Sequence, residues 1–184
     1  MELDGQILLW IQDYLRAPWL DAVMTRVTAL GDHGLLWILV TLALLIYPKT
    51  RRVGLICFIS LALSVIFCNG LLKNLVDRPR PYTQIPDLKL LVKEADDASF
   101  PSGHSSSSFC VAIVCLKRLP KKFGIPAIIM AALIALSRLY VGIHYPTDVI
   151  VGTILGIILG LIAIKLIEFA DEKGWLKKLP LIGG

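Results

Sequence analysis

VGLICFISLALSVIFCNGLL, residues 53–72, runs for twenty positions without a charged side chain. A helix of that length reaches across a hydrocarbon core of roughly 30 Å. Further apolar runs lie at about 34–47, 104–116, 123–140 and 147–167. The run at 34–47 is short for a span, so its helix is expected to start nearer Thr28 or to tilt little. The third opens on polar Ser105 to Ser108, which suit close helix packing. The whole chain of 184 residues agrees with this pattern: 56% are hydrophobic and 18% charged. Its mean hydropathy is +0.73. An average soluble domain carries about 25% charged residues. The reading is an all-α, polytopic membrane bundle of five to six spans.

Upstream of the first span, Ile7, Leu8, Ile11, Tyr14 and Leu15 share one helical face over 6–16. That stretch is too short and polar to span and reads as an amphipathic helix lying in the interface, ended by Pro18. Leu20, Val23, Met24, Val27 and Leu30 recur at helical spacing and suggest a second lead-in helix. The N-terminus opens Met1-Glu2-Leu3-Asp4, acidic where a secretion signal is basic, so the spans themselves are expected to direct insertion. One domain covers 1–184: lead-in helices over 1–30, a catalytic core over 31–168 and a tail over 169–184.

The net charge of +5 does not mark a nucleic-acid binder, because the basic residues sit in short links between apolar runs. Lys49, Arg51 and Arg52 join the first two spans; Lys117, Arg118, Lys121 and Lys122 join the third and fourth; Lys173, Lys177 and Lys178 follow the fifth. The positive-inside rule makes their side cytoplasmic. Cys57, Cys68, Cys110 and Cys115 all lie within apolar runs, form no metal-ligand pattern, and read as small apolar residues of membrane helices.

The opposite face collects the unusual residues. Lys73 and Arg80 follow the second span, Pro101-Ser102-Gly103-His104 precedes the third, Arg138 ends the fourth, and His144 and Asp148 flank the entry to the fifth. Three cations at a bilayer boundary call for anionic partners. Arginine grips phosphate through two N–H groups and lysine acts as a point charge. Ser102 and Gly103 stand at a helix start, where free N–H groups favour an anion. Phosphoryl transfer also needs a nucleophile and a proton for the leaving oxygen. His144 has Asp148 four residues on, with Pro146 placed to open a helix between them, so the carboxylate can orient the imidazole. His104 is left as proton donor.

Lys73-Asn-Leu-Val-Asp-Arg-Pro-Arg80-Pro81, Pro101-Ser102-Gly103-His104 and Ser137-Arg138-Leu-Tyr-Val-Gly-Ile-His144-Tyr-Pro-Thr-Asp148 together resemble the K-x6-R-P, P-S-G-H and S-R-x5-H-x3-D motifs of the type 2 phosphatidic acid phosphatase superfamily. Order and spacing match at every motif position. The resemblance implies a phosphohistidine at His144, support from Asp148, leaving-group protonation by His104, and phosphate binding by Lys73, Arg80, Ser102, Gly103 and Arg138. It also implies hydrolysis of a lipid phosphate without metal or other cofactor. Substrates in view are undecaprenyl diphosphate, phosphatidic acid and phosphatidylglycerol phosphate, with a lean to the first. The alternative class is a silent lipid-binding or transport protein; a haloperoxidase is opposed by the apolar runs. Partners are then the lipid substrate and membrane lipids, with oligomeric state open and the active site on the outer face of the cell membrane.

Several neighbours are expected to be bland. Arg78 could meet phosphate, Asp77 or headgroups, with a structural role first. Asp32-His33 reads as a turn into the first span, and Asp87, Lys89, Lys93, Glu94, Asp96 and Asp97 read as a solvated loop.

Overall fold

In the computed structural model, which describes residues 3–175, every regular element is a helix. Lys177 and Lys178 lie outside the described residues. α1 (Leu3–Leu15) ends three residues before Pro18, and Pro18 opens α2 (Pro18–Leu30) rather than closing α1. Its ring fixes φ, and the N–H it lacks has no acceptor in a first turn. A turn at 31–34 leads to α3 (Leu35–Ile46), whose axis bends by 47° from that of α2. α4 (Arg51–Ser64) continues through a π-helical stretch, Val65–Leu72, into α5 (Lys73–Val76). Asp77, at φ 42°, terminates it in the left-handed conformation. Then come α6 (Pro81–Gln84), a long loop, α7 (Gly103–Arg118), α8 (Lys121–Tyr140) and α9 (Pro146–Glu172).

Pro48–Gln84, Lys121–Tyr140 and Pro146–Glu172 are long and apolar enough to cross a membrane, and the bent α2–α3 pair makes a fourth if it acts as one span. The expected span at 34–47 is only the 12-residue α3, and that at 104–116 is the 16-residue α7. At 1.5 Å per residue each falls short of a 30 Å core on its own (roughly 18 and 24 Å).

α7 is the hub and packs against α4, α8 and α9. Its serines let the neighbours close in: Ser105, Ser106 and Ser108 are fully buried. Ser64 Oγ and Ser106 Oγ lie 2.7 Å apart, and Trp37 Nε1 donates to Ser108 Oγ at 2.8 Å. Against it, α9 turns a stripe of Gly152, Gly156 and Gly160. A β-carbon on Gly156 would lie 2.4 Å from the Ser106 carbonyl oxygen, and one on Gly152 2.5 Å from that of Ser102. Small residues four apart thus bring two backbones into direct contact. Elsewhere around α9, Ile150, Ile154 and Ile158 are about half exposed, the apolar outer surface that lipid covers.

The two ends of the bundle differ. Arg52 pairs with Asp171 and Arg118 with Glu168, so the basic links 48–52 and 117–122 gather beside the end of α9. The starts of α7 and α9 and the end of α8 lie at the other end. The four cysteines are free and buried, as small core residues.

Candidate active site

Lys73 occupies the first turn of α5 and is buried there with its ammonium against Asp97. Extended backbone at Arg80 turns the next cation inward. Its guanidinium is held on several sides: Nε donates to Asp97 O at 2.8 Å, Nη1 to Ile143 O at 3.0 Å and Nη2 to Asp97 Oδ1 at 2.5 Å. A planar fork with five N–H groups permits this. Nη1 also stands 3.4 Å from His144 Nε2.

His144 lies in the short link between α8 and α9, almost wholly buried. Pro146 opens α9, which puts Asp148 in its first turn. There Asp148 Oδ2 accepts from the Tyr145 N–H at 2.9 Å, a carboxylate capping its own helix. The same oxygen accepts from Ser99 Oγ at 2.5 Å and lies 3.5 Å from His144 Nδ1. That last distance is long for a hydrogen bond, because the amide and the hydroxyl already hold the oxygen; Ser99 Oγ itself is 3.4 Å from His144 Nδ1. Oδ1 faces the other way, to Arg78 Nη1 at 2.7 Å.

His104 follows Gly103 in the first turn of α7. Its Nε2 is 3.0 Å from Asp32 Oδ1. Ser102 caps α7: its Oγ accepts from Ser105 N at 3.4 Å, and its N–H donates to Asp148 O at 3.0 Å. The serine is fully buried, so its polar atoms serve the helix start and the α7–α9 junction. Gly103 and His104 hold the N–H groups for which the first turn has no intrahelical acceptor. Arg138 ends α8, buried, with Nη1 on Thr28 Oγ1 of α2. Its Nε is buried with no hydrogen-bond partner among the described residues.

Lys73, Arg80, Gly103, His104, Arg138 and His144 all line one cavity of about 860 Å³. Asp148 sits behind His144. Burial, with Arg138 and Arg80 close by, holds the His144 imidazole well below its ordinary pKa despite Asp148, so the ring is neutral, and a donor at Nε2 (Arg80) with a carboxylate at Nδ1 (Asp148) favours the tautomer whose lone pair is on Nε2. A neutral imidazole backed by a carboxylate, a second histidine across the cavity and three cations suit attack on a phosphate.

Seven of the eight residues singled out by sequence therefore meet around this cavity or directly behind it, while Ser102 is turned to the helix cap. Arg78 takes a structural role, but its partners are Asp4 and Asp148 rather than Asp77. It also stacks 3.8 Å from the Tyr145 ring centre. Asp97 lies in a solvated loop as expected, but its carboxylate also bridges Lys73 and Arg80. Burial raises its carboxyl, yet Lys73 and Arg80 overcome that and hold it below the usual range. Asp32 does sit in a turn, but its carboxylate reaches His104. Ser99 was missed; its place two residues before Pro101 was the available signal. Asp32 and Asp97 carried none beyond their type.

Comparison with known proteins gives a consistent result. Residues 53–171 match the model of the PAP2 superfamily. An undecaprenyl-diphosphatase of Sulfolobus acidocaldarius is 31% identical over 167 residues, covering 91% of this chain and 78% of that protein. Phosphatidylglycerophosphatase B of Bacillus subtilis is 36% identical over 172 residues, covering 86% and 79% respectively. The crystal structure of Aquifex aeolicus LpxE superposes with a TM-score of 0.80 at 29% identity, covering 90% of this chain and 96% of that one.

Proposed function

The chain belongs to the PAP2 superfamily and is a membrane lipid phosphatase, and from that premise we propose that His144 Nε2 attacks the phosphorus of a lipid phosphate and forms a phosphohistidine. The observation that carries this reading is the setting of His144: Nε2 beside Arg80 on the cavity wall, Nδ1 toward Asp148. As the N–P bond forms, the bond from phosphorus to the lipid oxygen breaks and His104 gives that oxygen a proton. Water then attacks the phosphohistidine, His104 takes a proton back, and inorganic phosphate leaves. Lys73, Arg80 and Arg138, with the Gly103 and His104 amides, meet the charge on the phosphoryl oxygens. The unpartnered Arg138 Nε supports a place for one of them. Charge supplied in this way makes a divalent metal unnecessary to the reaction.

Among lipids, a prenyl diphosphate such as undecaprenyl diphosphate is the preferred substrate, with phosphatidic acid and phosphatidylglycerol phosphate as alternatives. The gathering of basic links at the end of the bundle opposite the cavity supports an outward-facing site in the cell membrane. α7, enclosed by α4, α8 and α9, completes a five-span core, with α1 lying in the interface and exposing Trp10 and Tyr14. Phosphate release from a panel of lipid phosphates in detergent, with His144→Ala as the blank, tests the activity and ranks the substrates. Binding of lipid without phosphate release would instead make the chain a silent lipid-binding protein.

A further inference from the structure

The turn between α2 and α3 is built against the imidazole of His104. His33 (φ 52°) and Gly34 (φ 69°) are consecutive residues in the left-handed region. For a non-glycine such as His33 this conformation is uncommon and costly, and it persists where surrounding structure holds it. Gly31 shows what the turn is held against: a β-carbon there would lie 2.6 Å from His104 Cδ2 and 2.8 Å from Ile134 Cγ2. Between these residues, Asp32 reaches out and sets Oδ1 3.0 Å from His104 Nε2. Asp32, His33, Gly34 and His104 all line the cavity.

We propose that Asp32 is a positioning residue for the proton donor: it fixes the His104 ring through Nε2–H, favours its protonation, and leaves Nδ1–H as the proton delivered to the departing lipid oxygen. The inference rests on the reading of His104 as general acid. The charged groups facing His104 are Asp32 from the turn, Arg138 from α8 and Lys73 from α5. Burial opposes a charged ring most, the two cations oppose it further, and Asp32 is the carboxylate that works against both. In the transfer, the bond from phosphorus to the lipid oxygen breaks, its electron pair stays on oxygen, and the Nδ1 proton moves to that oxygen. His104 is left neutral with its remaining proton on Nε2, shared with an Asp32 that stays anionic. The site thus has two carboxylate–histidine pairs with opposite duties. Asp148 backs a neutral nucleophile, and Asp32 backs a charged donor.

The test compares Asp32→Asn, Asp32→Glu and His104→Ala, purified in detergent, on a lipid phosphate monoester and on an aryl phosphate. An alkyl oxygen needs the proton and an aryl oxygen hardly does. Asp32→Asn is expected to lower kcat on the lipid monoester about 10- to 100-fold, and on the aryl phosphate less than about threefold. Asp32→Glu should recover part of the loss. The alkaline limb of kcat/KM for the lipid should move to lower pH in Asp32→Asn, because losing the negative charge disfavours the protonated ring. A loss equal on both substrates, or an unmoved alkaline limb, overturns the proposal. If His104→Ala itself loses equally on both, the general-acid reading fails first. If His104→Ala is selective and Asp32→Asn is not, the role of Asp32 alone falls. The Asp32 side chain is 56% exposed, so the asparagine variant should fold. Asp32→Ser is read by the same criteria should it not, and unfolding of both makes Asp32 structural and overturns the proposal.

Discussion

Arg78 Nη1 donates to Asp148 Oδ1 at 2.7 Å, on the side of the carboxylate turned away from His144. Arg78 also holds Asp4 through Nη2 at 3.0 Å, so α1 is tied to the start of α9 through one guanidinium. The carboxylate that backs the nucleophile is thus fixed on both oxygens before any substrate arrives. Arg78→Ala should lower kcat about 10-fold or more while KM changes little, since Arg78 touches the carboxylate and not the cavity. Steady-state kinetics on one lipid phosphate checks the split; a rise in KM alone would place Arg78 on the substrate instead.

His144→Ala should abolish turnover to background, because binding energy cannot replace the attacking atom. Asp148→Asn should leave a measurable residue of activity and a folded protein, since Tyr145 N–H and Ser99 Oγ still find an oxygen there. Rapid acid quench with a labelled phosphate should trap a phosphoenzyme in the parent protein and none in His144→Ala. Activity above about a tenth of the parent rate in His144→Ala would require another nucleophile.

Asp97 competes with phosphate for the same two cations. Its carboxylate bridges Lys73 and Arg80 and is more than half exposed, so an incoming phosphate can take its place on the two cations. Asp97→Asn should therefore bind orthovanadate and inorganic phosphate more tightly, by about 3- to 10-fold in Ki, or up to roughly 1.4 kcal/mol. Inhibition constants at fixed ionic strength measure this. Weaker inhibition in the variant would mean that Asp97 orders the cations for substrate rather than occupying them.

Gly156 tests the α7–α9 contact. Its added β-carbon would meet the Ser106 carbonyl oxygen at 2.4 Å, and backbone cannot yield as a side-chain tip can. Gly156→Val should destabilise the protein by about 1–3 kcal/mol. It should also lower activity, because the Ser102 N–H to Asp148 O bond at 3.0 Å registers the two helix starts that carry His104 and Asp148. Thermal unfolding in detergent and phosphate release report the two effects. A substitution with no loss in Tm would show that the helices separate freely.

Excess chelator should leave activity intact, since Lys73, Arg80 and Arg138 supply the positive charge around the cavity. Orthovanadate should inhibit as a mimic of the five-coordinate phosphorus, and Arg138→Ala should weaken that inhibition along with catalysis. Loss of activity in chelator, restored by magnesium, would assign the charge to a metal.

The amino-acid sequence alone determined the membrane class, the helical class and the order in which the active groups enter. Uncharged runs such as 53–72 have one stable solvent, and Pro146 and Ser102-Gly103 are local signals that open α9 and α7 where the structure has them. Helix lengths were less legible. The 34–47 run reads as a span by hydropathy, yet the turn at 31–34 and the extended backbone at Tyr47 leave α3 at 12 residues. The stripe of Gly152, Gly156 and Gly160 was written in the sequence, but its partner α7 was not. The tertiary structure alone decided the carboxylates. Asp32 and His104 are 72 positions apart, and Asp97 meets Lys73 and Arg80 across 24 and 17. An aspartate in a polar loop has the same local signature whether water or a buried cation faces it. Hydrophobic periodicity reports which face of a helix leaves water, whereas an ion pair depends on which helix ends the packing of α7 against its neighbours brings to one place.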